Sequence, residues 1–291
     1  MVNAPVGFQC PDCASVSNPR GTRATSNIQT SRLAGIPTVT RWILLTCVSI
    51  FAYGLLTGNA DSLASRFGLY PYGVAQGQWE RLLTATFLHA GLLHILFNMY
   101  ALYILGPGLE HQLGSRNYSA LYFLSAIGGS TLSFWFSDPQ SLAVGASGAI
   151  FGLLTATIVI GRSMHRDVSQ LIVLLVINVI IGFSGGIDWH AHFGGAITGA
   201  VVAGIYVQDS SKVSKQMKST AVALIFVLLV VAIVIRNQQL ISDLNLYFIS
   251  NSSELNFDCE RGIKIQLFFE LNHSLVQKSK FRNCYVFLKI Q

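Results

Sequence analysis

The sequence predicts an all-α protein built as a polytopic bundle of membrane helices. Hydrophobic residues make up 52% of the 291 residues and charged residues only 11%, whereas about a quarter of the residues in soluble proteins are charged. Most apolar residues fall in seven runs separated by polar segments. A net charge of +6 can indicate nucleic-acid binding, but these basic residues lie between apolar runs. We therefore expect them to orient the chain in a lipid bilayer and expect no nucleic-acid partner.

Residues 1–40 form a polar segment, predicted to be cytosolic, ahead of the first apolar run. They contain Cys10-Pro-Asp-Cys13, which has the spacing of half a zinc site. Tetrahedral zinc needs four ligands, and no second Cys or His pair follows before the membrane, so we expect no metal unless two chains share one. A secretory signal is a poor fit because the first apolar run begins only after Arg41.

Seven apolar runs are predicted to be transmembrane helices. They cover residues 42–57, 82–105, 119–136, 147–161, 168–183, 190–208 and 219–235. Several are shorter than the roughly 20 residues that a full crossing needs. A short helix is tolerated where its irregular start lines a cavity inside the protein. The tail that follows, residues 237–291, contains strand-like runs at 263–269 and 285–290, and no function is predicted for it.

The basic residues near the ends of these runs predict a cytosolic N-terminus. In that orientation the inner side carries Arg23, Arg32, Arg41, Arg116, Arg162, Arg166, Lys212, Lys215 and Lys218. The outer side carries Arg66, Arg81 and Arg236. Lysine and arginine are enriched in cytoplasmic loops, so this imbalance favours an N-in topology with the C-terminal tail outside.

Four polar side chains are predicted at similar depth in the outer half of the bundle. Ser147 begins the fourth run, within the small-residue stretch 142–152, and His192 begins the sixth. His94 and Asn98 lie four residues apart in the second run, so they share one helix face. Polar groups are costly in hydrocarbon, and their common depth predicts a shared, partly hydrated pocket.

These residue types suit nucleophilic catalysis. A serine hydroxyl needs a base to take its proton, and the neutral imidazole of His192 could act on Ser147 in this way. The Asn98 amide, the His94 ring and nearby backbone N–H groups could stabilise the negative oxygen of a tetrahedral intermediate. The alternative is that Ser147 serves packing alone and bonds to a carbonyl four residues earlier.

Two pairs of glycines favour close packing of the fourth and sixth runs. They are Gly148-x-x-x-Gly152 and Gly195-x-x-x-Gly199, and small residues four apart let two membrane helices approach closely. Such an approach would bring the serine and the histidine within hydrogen-bond reach. The alternative is that these glycines serve packing only.

Three other titratable residues lie near these motifs. His190 is two residues before His192, so on a helix it would face away from the site. His89 stands at the mouth of the second run, where a structural hydrogen bond to the first loop is expected. Asp188 is expected in the outer loop and is not expected to orient His192.

Taken together, the motifs resemble those of the rhomboid intramembrane serine proteases over roughly residues 41–208. The matching stretches are Trp79-Glu-Arg81, His94-x-x-x-Asn98, Glu110-His-Gln-Leu-Gly114-Ser115, Gly145-Ala-Ser147-Gly148 and Ala191-His192-Phe-Gly-Gly195. Each piece alone is weak, but the ordered set is specific.

The resemblance implies a six-helix core over 41–208 that cleaves transmembrane substrates through a Ser-His dyad. Ser147 would be the nucleophile and His192 the general base and acid. His94 and Asn98 would donate to the oxyanion together with the Ser147 amide. Arg81 would brace a first loop that lies in the membrane, and Glu110 would help to tie the inner loop.

The resemblance also implies partners and a location. Expected substrates are single-span membrane proteins, and no metal or organic cofactor is implied. The run at 219–235 would be an added seventh helix in a six-plus-one arrangement, with a structural or lipid-facing role. The segment around Cys10 resembles the remnant of a zinc-binding lead-in of some bacterial members, which favours a bacterial plasma membrane. The sequence does not predict the oligomeric state.

Two other classes of function stay open. A catalytically silent rhomboid-like protein would bind transmembrane helices as a chaperone or adaptor, although such a protein is expected to lack the serine or the histidine. A small-solute transporter would also place polar groups in the membrane. Inverted repeats are the usual signature of transporters, and the sequence contains no convincing repeat.

Overall fold

A computed structural model describes residues 2–4, 7–9, 35–182, 187–209 and 211–254 of the chain. The predicted tail runs at 263–269 and 285–290, and the cysteines of the N-terminal segment, lie outside these residues.

The chain divides into two compact units, Met1–Arg236 and Asn237–Gln291. The first unit contains every described element except the last part of the final helix. In the second unit the structure describes only that helical segment, which ends at Glu254.

The described chain is almost entirely helical. Its helices are α1 (Thr38–Thr57), α2 (Ala60–Phe67), α3 (Pro71–Ala75), α4 (Arg81–Thr84), α5 (Leu92–Leu113), α6 (Ser115–Phe136), α7 (Ser147–Ser163), α8 (Ser169–Gly182), α9 (Trp189–Tyr206) and α10 (Lys215–Glu254), with a 3-10 turn at Ala85–Phe87. Two short strands, β1 (Val2–Ala4) and β2 (Gly7–Gln9), pair antiparallel. This strand pair was not predicted from the sequence.

A helix covers most of each predicted apolar run, but the start of the second run was wrong. Residues 82–91 do not continue into α5, because the backbone of Gly91 is extended (φ −174°, ψ 172°) and α5 begins only at Leu92. The preceding residues form α4, the 3-10 turn and an irregular segment. Leu82 and Leu88 are buried, so their hydropathy reflects packing within the loop and not a membrane span.

Three described helices are long and apolar enough to cross a bilayer by length and composition. They are α1, α5 and the Lys215–Leu244 part of α10. Helices α7 and α8 are apolar but have only 17 and 14 residues, fewer than the about 20 that a full crossing needs. The count of seven spans therefore stays a prediction.

Helices α6, α7 and α9 form the centre of the first unit. Their buried side chains include Tyr122 and Phe134 on α6, Leu153 on α7 and Val202 on α9. By contrast, Gly182 is the one buried residue among those described for α8. In a bilayer, exposed apolar side chains such as those of α8 can face lipid, so the packed interior lies among the other three helices.

The first loop, residues 58–91, connects α1 to α5 and holds the segment before α7. Leu69 and Ala143 exchange backbone hydrogen bonds of 2.8 and 2.9 Å, and the Gly145 N–H donates to the Ala85 carbonyl at 2.9 Å. Arg81 donates from Nη1 to the carbonyls of Ser65 and Gly68, both at 2.8 Å. The guanidinium of Arg81 thus fastens the loop internally.

Glu110 joins the start of α1 to the turn between α5 and α6. Its carboxylate accepts from the N–H of Val39 at 2.9 Å, from the N–H and hydroxyl of Thr40 at 2.8 Å each, and from Ser115 Oγ at 2.7 Å. The first N–H groups of a helix have no partner within it, so Glu110 supplies the cap that Pro37 cannot.

We expect Glu110→Gln to destabilise the bundle. The variant keeps one acceptor oxygen and turns an NH₂ group towards buried donors, and an unmade hydrogen bond to a charged group costs about 2 kcal/mol or more. The matched control is Glu80→Gln, because Glu80 is exposed. Thermal unfolding in detergent measures the difference, and equal midpoints for the two variants would contradict the role given to Glu110.

Candidate active site

Ser147 is the first residue of α7, directly after a turn that requires glycine. Gly145 has φ +138°, a conformation that side chains rarely adopt. No side chain caps the first turn of α7, so backbone N–H groups beside Ser147 have no partner within the helix. These N–H groups are available to an anionic oxygen at this position.

The ring of His94 lies against the same turn. A Cβ added to Gly145 would be 2.8 Å from both Cε1 and Nε2 of His94, and 3.6 Å from Ser147 Oγ. The imidazole and the hydroxyl therefore border the same small space, which the missing side chain of Gly145 leaves open.

His192 lies in the first turn of α9 and is buried, with 9% of its surface exposed. Its ring stacks on Phe151, with centroids 4.1 Å apart and planes 13° from parallel. Phe151 is four residues after Ser147, so the two share one face of α7. The stacking places the imidazole on the helix face that carries the serine.

Backbone contact between α7 and α9 produces this arrangement. A Cβ added to Gly195 would lie 1.9 Å from the Gly148 carbonyl oxygen, and one added to Gly199 would lie 2.3 Å from that of Gly152. The contacts advance in the same direction along both helices, so α7 and α9 are parallel. Both helices therefore begin at the same end of the bundle, with the serine and the histidine in their first turns.

Helix α6 packs against both α7 and α9 through two glycines that were not predicted from the sequence to belong to the site. A Cβ added to Gly129 would lie 2.7 Å from the Ala191 carbonyl oxygen, and one added to Gly128 would lie 2.0 Å from Thr198 Oγ1. The signal was present in the run Gly128-Gly129-Ser130, because adjacent small residues in an apolar helix allow two partners to approach.

No hydrogen bond joins Ser147 to His192 among the described residues, and the buried Nδ1 of His192 has no partner there. Catalytic hydrogen bonds are often long in unliganded enzymes and tighten when substrate binds. The structure thus brings the two helix starts together without forming the predicted contact between the side chains.

Asn98 lies one turn after His94 on α5 and is buried. Its Nδ2 donates to the His94 carbonyl at 2.8 Å. An amide nitrogen carries two N–H bonds, so this contact uses one donor and fixes the side chain on the helix face that carries the imidazole.

The three remaining titratable residues occupy different surroundings. Asp188 accepts hydrogen bonds from Ser133 and from the Ala191 N–H, and His190 Nδ1 lies 3.1 Å from Ser137 Oγ. His89 packs edge-on to His94 with centroids 5.2 Å apart. Neither nitrogen of His89 has a hydrogen-bond partner of normal geometry among the described residues, but the ring interacts with the backbone of Phe87 in the first loop, so the predicted bond to that loop stays a prediction.

An apolar cavity of about 280 Å³ opens between α7, α8 and α9, with Phe151 and His192 in its wall. An apolar peptide segment could therefore lie beside the imidazole. No group of three or more His, Cys, Asp or Glu side chains that could hold a metal occurs among the described residues, and Cys10 and Cys13 lie outside them.

The known proteins that resemble this chain in sequence belong to one family. Residues 76–209 match the model of the Rhomboid domain family. The chain is 36% identical to the rhomboid protease GluP of Bacillus subtilis over 181 residues, which are 58% of this chain and 35% of GluP. It is 28% identical to the rhomboid protease AarA of Providencia stuartii over 207 residues, which are 60% of this chain and 74% of AarA.

A third relative, the rhomboid-family protein YdcA of Bacillus subtilis, is 33% identical over 149 residues, which are 49% of this chain and 75% of YdcA. Coverage is lower for several Arabidopsis thaliana RHOMBOID-like relatives, of which the chain spans 43%, 49% and 48%. The chain thus spans less than half the length of these relatives and of GluP. The matched part contains both helix starts that carry the candidate dyad.

Proposed function

The chain belongs to the rhomboid family and is an integral membrane protein, and from this premise we propose that it is an intramembrane serine endopeptidase. It hydrolyses peptide bonds in or near the transmembrane segments of membrane proteins. Ser147 is the nucleophile, and His192 is the general base and then the general acid. The stacking of His192 on Phe151, one turn after Ser147, is the observation that supports this assignment most strongly.

The proposed reaction proceeds through an acyl-enzyme. His192 accepts the proton of the Ser147 hydroxyl as its oxygen attacks the substrate carbonyl, and it then returns that proton to the leaving amine. Water next attacks the ester, again with His192 as base, and His192 returns that proton to Ser147 Oγ as the second fragment leaves. The uncapped N–H groups at the start of α7, the His94 ring and the free N–H of Asn98 donate to the oxyanion.

The topology is part of the proposal. Six helices, α1 and α5–α9, form the core, and α10 is the added seventh. The N-terminus is cytosolic, and the first turns of α5, α7 and α9 lie towards the outer face, in a bacterial plasma membrane. Single-span membrane proteins are the proposed substrates, since an extended peptide must reach the start of α7 from the bilayer.

Cleavage in proteoliposomes tests this function. The purified chain is reconstituted with a single-span substrate that carries a tag at each end, and the fragments are followed with time. Fragments whose ends meet within or near the transmembrane segment support the peptidase. Stable binding of the span without cleavage would favour the alternative, a catalytically silent adaptor.

Asn98→Ala is expected to lower kcat by about 10²- to 10³-fold, the usual effect of removing one oxyanion donor. The matched control is Asn178→Ala, because Asn178 on α8 makes the same side-chain bond to the carbonyl four residues earlier, at 2.8 Å. Initial rates at saturating substrate measure the effect. Equal rates for the two variants would remove Asn98 from the oxyanion site.

A further inference from the structure

We propose that Asp188 is a positioning residue that fixes the first turn of α9, and with it His192, against α6. The inference rests on the proposed function, in which His192 is the general base. Asp188 immediately precedes α9, and its Oδ1 accepts from the Ala191 N–H at 3.1 Å. A side chain in this N-cap position holds the otherwise unpaired N–H groups of a first turn.

The second oxygen of the same carboxylate reaches the end of α6. Ser133 Oγ donates to Asp188 Oδ2, and Ser137 Oγ lies 3.4 Å from Oδ1. Ser133 is 1% exposed, so its hydroxyl is held away from lipid and water. Hydrogen bonds to an ionised acceptor are about twice as strong as neutral ones. One carboxylate therefore fastens the last turn of α6 to the first turn of α9.

The backbone of Ala191, next to His192, is held at both its N–H and its carbonyl. The Ala191 N–H is bound by Asp188, and the Ala191 carbonyl packs between two glycines. A Cβ added to Gly129 would lie 2.7 Å from this oxygen, and one added to Gly148 would lie 3.2 Å from it. Ala191 precedes the histidine and Gly148 follows the serine. A shift at Asp188 would thus change the register of the two reacting side chains.

Helix α8 meets the first turn of α9 at its last residue, since a Cβ added to Gly182 would lie 3.4 Å from Trp189 Cβ and 3.8 Å from His192 Nδ1. Gly182, at its end, is the one described α8 residue that is buried. Among the described residues, the hydrogen bonds and the ion pair of the Asp188 side chain go to Ser133, Ser137, Ala191 and His190, and none goes to the His192 ring. Asp188 therefore acts through the backbone of α9 and not as the acid of a triad.

Kinetics of two Asp188 variants test the inference. Asp188→Ala is expected to lower kcat by about 10- to 100-fold, because a displacement of about 1 Å can cost 10²-fold. KM should stay near the wild-type value, since Asp188 lies outside the proposed peptide site. Asp188→Asn should restore most of kcat, because asparagine is an equally good N-cap. The matched control is Asp138→Ala, because Asp138 is exposed and, in the part of the chain that the structure describes, its carboxylate bonds only to the nearby Gln140 N–H, at 2.7 Å.

A wild-type kcat in Asp188→Ala, or no rescue by Asp188→Asn, would overturn the inference. If Asp188→Ala does not fold, Ser133→Ala removes only the α6 hydroxyl and should lower kcat in the same direction by less. An unchanged kcat in Ser133→Ala would then overturn it. Failure of the proposed function is distinguishable, because in that case the wild-type chain itself does not cleave.

Discussion

Ser147→Ala is expected to abolish cleavage of a transmembrane substrate while the bundle stays folded. The change removes one hydroxyl that makes no hydrogen bond to His192 among the described residues, so little stability is lost. Loss of a serine nucleophile typically lowers kcat by at least about 10⁴-fold. Fragment release in proteoliposomes gives the rate, and a melting curve in detergent reports the fold.

Ser163→Ala is the control for this prediction. Ser163 is the last residue of the same helix, and its hydroxyl bonds to the Ile160 carbonyl at 2.8 Å, at the opposite end from the proposed site. The Ser163→Ala variant should cleave the substrate at the wild-type rate. Cleavage by Ser147→Ala at that same rate would show that another residue is the nucleophile.

Gly195→Ala is expected to lower both the stability of the fold and the rate of cleavage. Its Cβ would lie 1.9 Å from the Gly148 carbonyl oxygen, and backbone cannot move aside as a flexible side chain can. Overpacking of this kind costs about 3 kcal/mol or more. The displacement of α9 carries His192 away from Ser147, so kcat should fall by about 10²-fold.

Gly204→Ala on the same helix is the matched control, since a Cβ at Gly204 meets nothing within 4 Å. Alanine favours a helix over glycine by about 1 kcal/mol, so this variant should melt at or slightly above the wild-type temperature. The melting temperatures and cleavage rates of the two glycine variants are measured side by side. If Gly195→Ala behaves like Gly204→Ala, the close approach of α7 and α9 is not required.

The sequence was sufficient for the helical class and for the starts of two important helices. Ser147 and His192 mark changes from polar loop to apolar run, and α7 and α9 begin at or near them. The predicted start of the second run was wrong because hydropathy does not distinguish a buried loop from a membrane span. Leu82 and Leu88 are buried by the first loop, and the 3-10 turn at Ala85–Phe87 and the extended backbone at Leu88 and Gly91 separate this loop from α5.

Other parts of the site depend on which helices pack against each other. The sequence of a single apolar run does not show which other run it contacts. Phe151 reads as an ordinary apolar residue until the ring of His192 is found stacked on it. Ser133 reads as a packing serine until the carboxylate of Asp188 is placed beside it. The family resemblance pointed to Ser147 and His192 but gave no reason to examine these two residues.

The proposed mechanism needs a serine activated by one histidine, and identifying the residue that a serine-directed probe labels tests this requirement most directly. The purified chain is treated with a fluorophosphonate in detergent, and the modified peptide is identified by mass spectrometry. We expect the adduct on Ser147 in the wild-type chain and little or none in His192→Ala. An adduct on a different residue, or labelling of Ser147 at the same rate without His192, would contradict the proposed dyad.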